Sequence, residues 1–266
     1  MMVSHEVPVC LLEESRKFND YDYALVHLFS ECSDISAENA EIYKNFFIES
    51  LKRKRTVYLD NSLFELEEMF DHDKFALQAE ELSKYGGNFY YIVPDSLRNI
   101  NETLDSFEKF TKEYKIKGYK IGVVQGKTEQ EILECFKFMK AKADIVAIGF
   151  NYSFYIKDSR NKFQQYLEGR QKLICKLIDL NLLQNTKIHL LGCGLPQEFK
   201  KYKNIKEIVS IDTSNPIVHG LNNIRYSENG LDDKLSIKLK DLINIDSSKI
   251  TKDVFFNIKK FKEFIS

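Results

Sequence analysis

Eight short runs rich in β-branched and aromatic residues alternate along this chain with longer stretches whose apolar residues recur every three or four positions. The runs are EVPVCLL (6–12), DYALVHLF (22–29), TVYLDNS (56–62), NFYYIVPD (88–95), KIGVVQG (120–126), DIVAIGF (144–150), KIHLLGC (187–193) and IKEIVSID (205–212). Helical periodicity fills AENAEIYKNFFIESLKRK (37–54), INETLDSFEKFTKEYK (100–115), EQEILECFKFMKAKA (129–143) and RNKFQQYLEGRQKLICKLIDLNLL (160–183). Such alternation is the signature of parallel strands joined by helices, and eight units in 266 residues predict an α/β fold, a (β/α)8 TIM barrel in preference to an open doubly wound sheet. The first connection, EESRKFNDY, is too short for a full helix, so the barrel is expected to be irregular there. The tail, residues 231–266, reads as two amphipathic helices capping it, and one domain is expected over residues 1–266.

Hydrophobic residues make up 43% and charged residues 30%, and no apolar run approaches the roughly 18 residues that a membrane span needs. The N-terminus places an acidic residue before its short apolar segment, unlike a signal peptide. Cys10, Cys32, Cys135, Cys175 and Cys193 are widely spaced without a zinc-binding pattern, the expectation for reduced thiols in a cytoplasmic protein. A net charge of −1 excludes a globally basic nucleic-acid binder and leaves room for a local basic groove.

In a barrel the catalytic residues sit at the C-terminal ends of the strands. The expected ends are polar: Asp60 with Asn61, Asp95 with Ser96, Gln125 with Gly126, Gly149 with Phe150, Gly192 to Gly194, and Asp212 with Thr213. Each also has a local reading. Asp60 can cap the helix holding LFELEE, Gln125 can start the next helix, and Asp212 can close an Asx-turn in DTSNP. Gly192 and Gly194 can form a plain strand-to-helix turn with Pro196 opening the helix, and His189 reads as a core histidine.

Taken in order, these segments resemble the tRNA-guanine transglycosylases (queuine tRNA-ribosyltransferases), most closely their phage relatives of the DpdA type that place 7-deazaguanines into DNA. LDNSLFE (59–65) is similar to the family's D-S-G-G-F/Y-Q segment, VPDS (93–96) takes the place of its base-recognising aspartate, and VVQG (123–126) matches its V-Q-G. IGF (148–150) falls at its glycine loop, HLLGCGLPQEF (189–199) at its L-x-G-x-G-x-P-E turn, and SIDTSNP (210–216) at the strand ending in the nucleophilic aspartate.

The resemblance implies a base exchange in which Asp212 holds the sugar C1′ and Asp60 cycles a proton between the departing and incoming bases. Asp95 would meet the guanine donors, Gln125 and Gly126 the acceptor edge, and Gly149 would allow close approach of the base. Asn61, Phe150, Gly192 and Gly194 would complete the pocket, with Tyr90, Phe150 and Tyr152 as candidates to stack on the base. The implied partners are guanine-containing DNA, flipped out or single-stranded, and a free preQ0-like 7-deazaguanine, with no cofactor. Lys127, Lys157, Arg160, Lys162 and Arg225 are the candidate phosphate contacts, whereas LKRKR (51–55) reads as a solvated loop. The tRNA enzymes carry a C-x-C-x-x-C zinc site after the nucleophile; this chain has no cysteine beyond Cys193, so no metal is expected, and Ser62 and Leu63 replace the family's double glycine. Three alternatives stay open: a tRNA-acting enzyme, a small-molecule barrel enzyme using GCGLP as a phosphate cradle, and an inactive barrel that only binds.

Overall fold

The computed structural model describes residues 1–152 and 161–266. Strands β1 (Met2–His5), β2 (Asp22–Leu25), β3 (Thr56–Asp60), β4 (Asn88–Ile92), β5 (Tyr119–Val123), β6 (Ile145–Ile148), β7 (Ile188–Leu190) and β8 (Ile208–Thr213) form one sheet in the order β1-β8-β7-β6-β5-β4-β3-β2. The registers are parallel. The helices are α1 (Leu12–Ser15), α2 (Ala37–Lys52), α3 (Leu63–Leu66), α4 (His72–Ser83), α5 (Ile100–Glu113), α6 (Glu129–Lys142), α7 (Lys162–Asp179), α8 (Asn215–Leu221) and α9 (Lys252–Ile265). Parallel strands in chain order with helical crossovers are the connectivity of a (β/α)8 barrel, as the sequence predicts.

The differences lie at the ends of elements. The first strand is Met2–His5 and not residues 6–12, because Pro8 has no N–H for a ladder and the chain after it coils into a 3-10 turn at Val9–Leu11 and then α1. The apolar run at 22–29 also stops being a strand at Leu25 and becomes a 3-10 turn over Val26–Phe29. In the tail only α9 is an α-helix; the predicted first helix is replaced by 3-10 turns at Leu239–Leu242 and Ser247–Lys249, the latter closed by Asp246 accepting from the Ser248 N–H at 2.8 Å. Short polar residues that bond their own backbone favour such turns over a continuous helix.

By internal contacts the chain divides into two compact units: a central one, Tyr21–Ala147, and a terminal one, Met1–Asp20 with Ile148–Ser266. In the central unit the helices are capped locally: Ser36, Asp71, Asn99 and Thr128 each accept from a backbone N–H, and Thr128 with Glu131 forms a full capping box. Tyrosine rings form a ladder there, Tyr21–Tyr58–Tyr90–Tyr119, tilted at the first two contacts and stacked at the third, with centroids 4.5, 4.8 and 4.7 Å apart. Arg55 forks onto the buried Asp22 at 2.8 and 3.0 Å, so LKRKR is not wholly a solvated loop: its last residue ties down the start of β3.

In the terminal unit α8 and α9 lie so close that a Cβ on Gly220 would come within 2.4 Å of the Val254 Cα. Phe261 of α9 meets Phe199 with ring centroids 5.4 Å apart. A buried pair, Arg170 and Glu198, joins α7 to the turn after β7: Arg170 Nε donates to Glu198 Oε1 at 2.6 Å, and its remaining N–H groups reach the Leu191 and Gly192 carbonyls at 3.0 and 3.1 Å.

Candidate functional site

Each unit carries one polar cluster at the C-terminal ends of its strands. In the central unit β3 delivers Asp60 and Asn61, β4 leads to Asp95, and β5 leads to Gln125. Asp95 is 4% exposed; its oxygens accept from Asn61 Nδ2 and from Gln125 Nε2, both at 2.7 Å. Burial pushes this carboxyl above the ordinary carboxylate range, against the opposing pull of the two amide donors. The amides are oriented in turn. Asn61 Oδ1 accepts from the Leu63 N–H at 3.0 Å, and Gln125 Oε1 from the Arg98 N–H at 2.9 Å. Gln125 therefore does not start a helix; Thr128 caps α6 three residues later.

Asp60 accepts from the Tyr23 hydroxyl and from the Ser62 N–H. The N-cap of α3 is Ser62, with φ 62°, so Asp60 supports the turn before the helix and is not itself the cap. Beside Asp95 and Asn61 opens a small pocket walled by Met69, Phe70 and Pro94. Gly126 is explained by packing: an added Cβ would lie 2.8 Å from that of Glu131. Tyr90 is not a strand-end platform but a mid-strand rung of the tyrosine ladder.

In the terminal unit Ser4, Ser210 and Asp212 share the sheet face opposite His5, whose ring meets Phe261 of α9 edge-on at 5.5 Å. Asp212 is 5% exposed, and its carboxylate takes the Gly192 N–H at 3.3 and 3.2 Å. His189 Nε2 stands 3.0 Å from Asp212 Oδ1, while its Nδ1 is 2.9 Å from Ser210 Oγ. The Asx-turn is not used: Thr213 Oγ1 makes that turn by accepting from the Asn215 N–H at 3.0 Å.

The GCG turn separates the two glycines by role. Gly192 has φ 64°, and Phe150 lies over it, so that a Cβ would be 3.1 Å from the Phe150 Cδ1. A Cβ on Gly194 would make only ordinary van der Waals contact, 3.8 Å from the Phe163 carbonyl, and the Gly194 carbonyl accepts from Asn215 Nδ2 at 3.0 Å. Cys193 between them is buried and its thiol is pushed up by burial, which makes it packing and not a nucleophile. Pro196 does open a helical turn, the 3-10 segment Pro196–Lys201. Gly149 has no described atom within 4 Å of a Cβ, so no neighbour among the described residues demands glycine there. Tyr152 is buried.

Of the candidate phosphate contacts, Arg225 is committed elsewhere: its Nε bonds Asp253 at 2.6 Å and its guanidinium lies 4.9 Å from the Phe256 ring. Lys162 Nζ sits 5.5 Å from the Tyr166 ring, Lys127 is exposed, and Lys157 and Arg160 lie outside the described residues. Sequence reasoning passed over Tyr23, Ser210 and Lys234, and took His189 for core. A signal existed for Ser210, since Ser210 and Asp212 are polar positions on one face of an apolar strand, whereas His189 joins them only through its register with Ser210.

Among the described residues no group of three or more His, Cys, Asp or Glu side chains could hold a metal, and no helix is long and apolar enough to cross a membrane. No family model matches the chain, and no curated protein does. Among solved structures it is similar to tryptophan synthase subunit alpha from Legionella pneumophila str. Paris, at 11% identity over 99% of this chain and 92% of that one, with a TM-score of 0.49. It is also similar to a fungal β-1,4-galactanase, at 10% identity over 98% and 99% of the two chains, with a TM-score of 0.32.

Proposed function

We propose that the protein is a base-exchange glycosyltransferase that replaces guanine in DNA with a free 7-deazaguanine through an ester between Asp212 and the sugar C1′. The observation that carries this reading is the setting of Asp212, a buried carboxylate at the end of β8 oriented by the Gly192 N–H and faced by His189. A carboxylate held in this way suits attack on an anomeric carbon and is a workable leaving group afterwards. As the Asp212 oxygen bonds C1′, the C1′–N9 bond breaks and its electron pair leaves with guanine, which takes up a proton. The incoming deazaguanine loses its N9 proton, N9 attacks C1′, and the Asp212 carboxylate is released.

Asp60, bonded to the Tyr23 hydroxyl, is assigned the proton traffic. Asp95, Asn61 and Gln125 are assigned the base edge: a carboxylate accepts from the N1 and N2 donors, and an amide NH2 donates to O6. A phosphate seated in the GCGLP turn is disfavoured, because the Gly192 N–H already serves a carboxylate and an anion there would meet a like charge.

The test is exchange of radiolabelled guanine into duplex DNA and, separately, into unmodified tRNA, with Asp212→Asn as control. Label entering DNA with the native chain alone supports the reading; label entering tRNA alone moves the substrate to RNA. No label in either, with the fold intact by circular dichroism, rejects base exchange.

A further inference from the structure

Lys234 lies in the segment after β8, in the same unit as Asp212, and is half-buried. Its Nζ is 5.3 Å from the Phe150 ring centroid and 5.9 Å from that of Phe163. Among the described residues no carboxylate comes within ion-pair distance of it. Its setting leads directly to Asp212: Phe150 covers Gly192, and the Gly192 N–H binds the Asp212 carboxylate. Burial pushes the amine below the ordinary lysine value, with Cys193, Glu6 and Asp212 opposing that shift and Arg170 reinforcing it.

Placing a cation against two aromatic faces without a direct counter-ion is costly, and cation–π attraction offsets only part of that cost. The nearby basic side chain, Arg170, is consumed by Glu198 and two carbonyls, so it cannot serve an incoming anion. Lys234 can, because its three ammonium donors are not spent on an ion pair.

We propose that Lys234 is the anion-recognising group of the Asp212 site and that it takes a phosphate of the substrate. This rests on the reading of Asp212 as the group that meets the sugar. In a nucleotide the phosphate lies one sugar ring away from C1′, so a cation reached from Asp212 across the Phe150 and Gly192 contacts suits the flanking phosphate. The aromatic cage fixes the ammonium in place, which a lysine on an open surface lacks, and it leaves the outer donors for the ligand.

The experiment titrates the full chain with a single-stranded, guanine-containing oligodeoxynucleotide over a range of salt. Deoxyguanosine is the probe without phosphate, and inorganic phosphate and ribose 5-phosphate are competitors. With Lys234→Met the oligonucleotide Kd is expected to rise about tenfold or more. The slope of log affinity against log salt should fall in magnitude by about 0.7, and deoxyguanosine binding should stay unchanged. Lys234→Arg, which keeps the charge, should retain most of the affinity. If Lys234→Met keeps native affinity and salt slope for the oligonucleotide and for both competitors, the proposal is overturned. If only ribose 5-phosphate binding is lost in Lys234→Met, the anion site stands with a phosphate monoester as its ligand, and the polynucleotide reading falls. A Lys234-dependent salt slope in a chain that exchanges no guanine would likewise uphold the site and reject base exchange alone.

Discussion

His189 Nε2 and Asp212 Oδ1 are 3.0 Å apart, and the far nitrogen of the same buried ring is 2.9 Å from Ser210 Oγ. The bond at Nδ1 sets the orientation of the ring, which places Nε2 within ion-pair distance of the carboxylate beside it. His189→Gln should therefore lower base exchange about 100-fold with little change in melting temperature, as expected when a reacting group loses its placement. Single-turnover exchange and thermal unfolding measure the two effects. In the native chain the 15N shifts of the His189 ring should move on Asp212→Asn; unchanged shifts and unchanged turnover would remove the positioning role.

Asp95 supplies a pH dependence of known sign. Its carboxyl is raised by burial above the ordinary value of 3.8, so the folded chain holds that proton more tightly than the unfolded one. The resulting stability is present below the unfolded value and is lost as pH rises through the folded one. Asp95→Asn removes the loss, so urea unfolding of the variant and the native chain should diverge, in favour of the variant, as pH climbs from about 3 to neutrality. Base exchange should fall in the same variant.

His5 has the opposite sense. Burial, followed by the charge of Lys262, lowers its imidazole from 6.5 to about 3, so it stays neutral while the unfolded chain would protonate. Its contribution is complete above pH 6.5 and drains away as pH falls toward 3, by up to about 1.4 kcal/mol per pH unit. His5→Leu should flatten this acid limb in unfolding experiments across the same window.

Arg170 and Glu198 form a pair whose exposures are 0% and 1%. Burial works against the Arg170 charge, and Glu198 outweighs it. Arg170→Met leaves the buried Glu198 carboxylate without its counter-charge, held by the Tyr202 hydroxyl at 2.7 Å, and releases the Leu191 and Gly192 carbonyls, which should cost about 3–5 kcal/mol in chemical denaturation. The double variant with Glu198→Leu should recover much of that loss.

Gly192→Ala and Gly194→Ala should separate. At 192 the added methyl meets left-handed backbone at φ 64° and a Phe150 carbon at 3.1 Å, a cost of about 1–2 kcal/mol with displacement of the N–H that holds Asp212. At 194 the nearest atom is 3.8 Å away, so stability and exchange should be close to native. Melting temperatures of the two variants, measured side by side, decide it.

Local sequence determined the elements. β-branched and aromatic runs alternating with helical periodicity specify parallel strands and crossovers, and the polar residues that end those runs mark Asp60, Asp95, Gln125 and Asp212 as strand-end groups. Where a run ends is less local. Pro8 stops a ladder that the apolar pattern of 6–12 would continue, and Asp246 turns a tail that its periodicity would make helical. What only the tertiary structure decided is which side chains meet. The contact of His189 with Asp212 depends on the register of β7 against β8, and the place of Lys234 depends on Phe150 and Phe163, residues 84 and 71 positions earlier in the chain. The periodicity of a strand reports the face a residue occupies, whereas its partners are fixed by register and packing across distant segments, which no local pattern encodes.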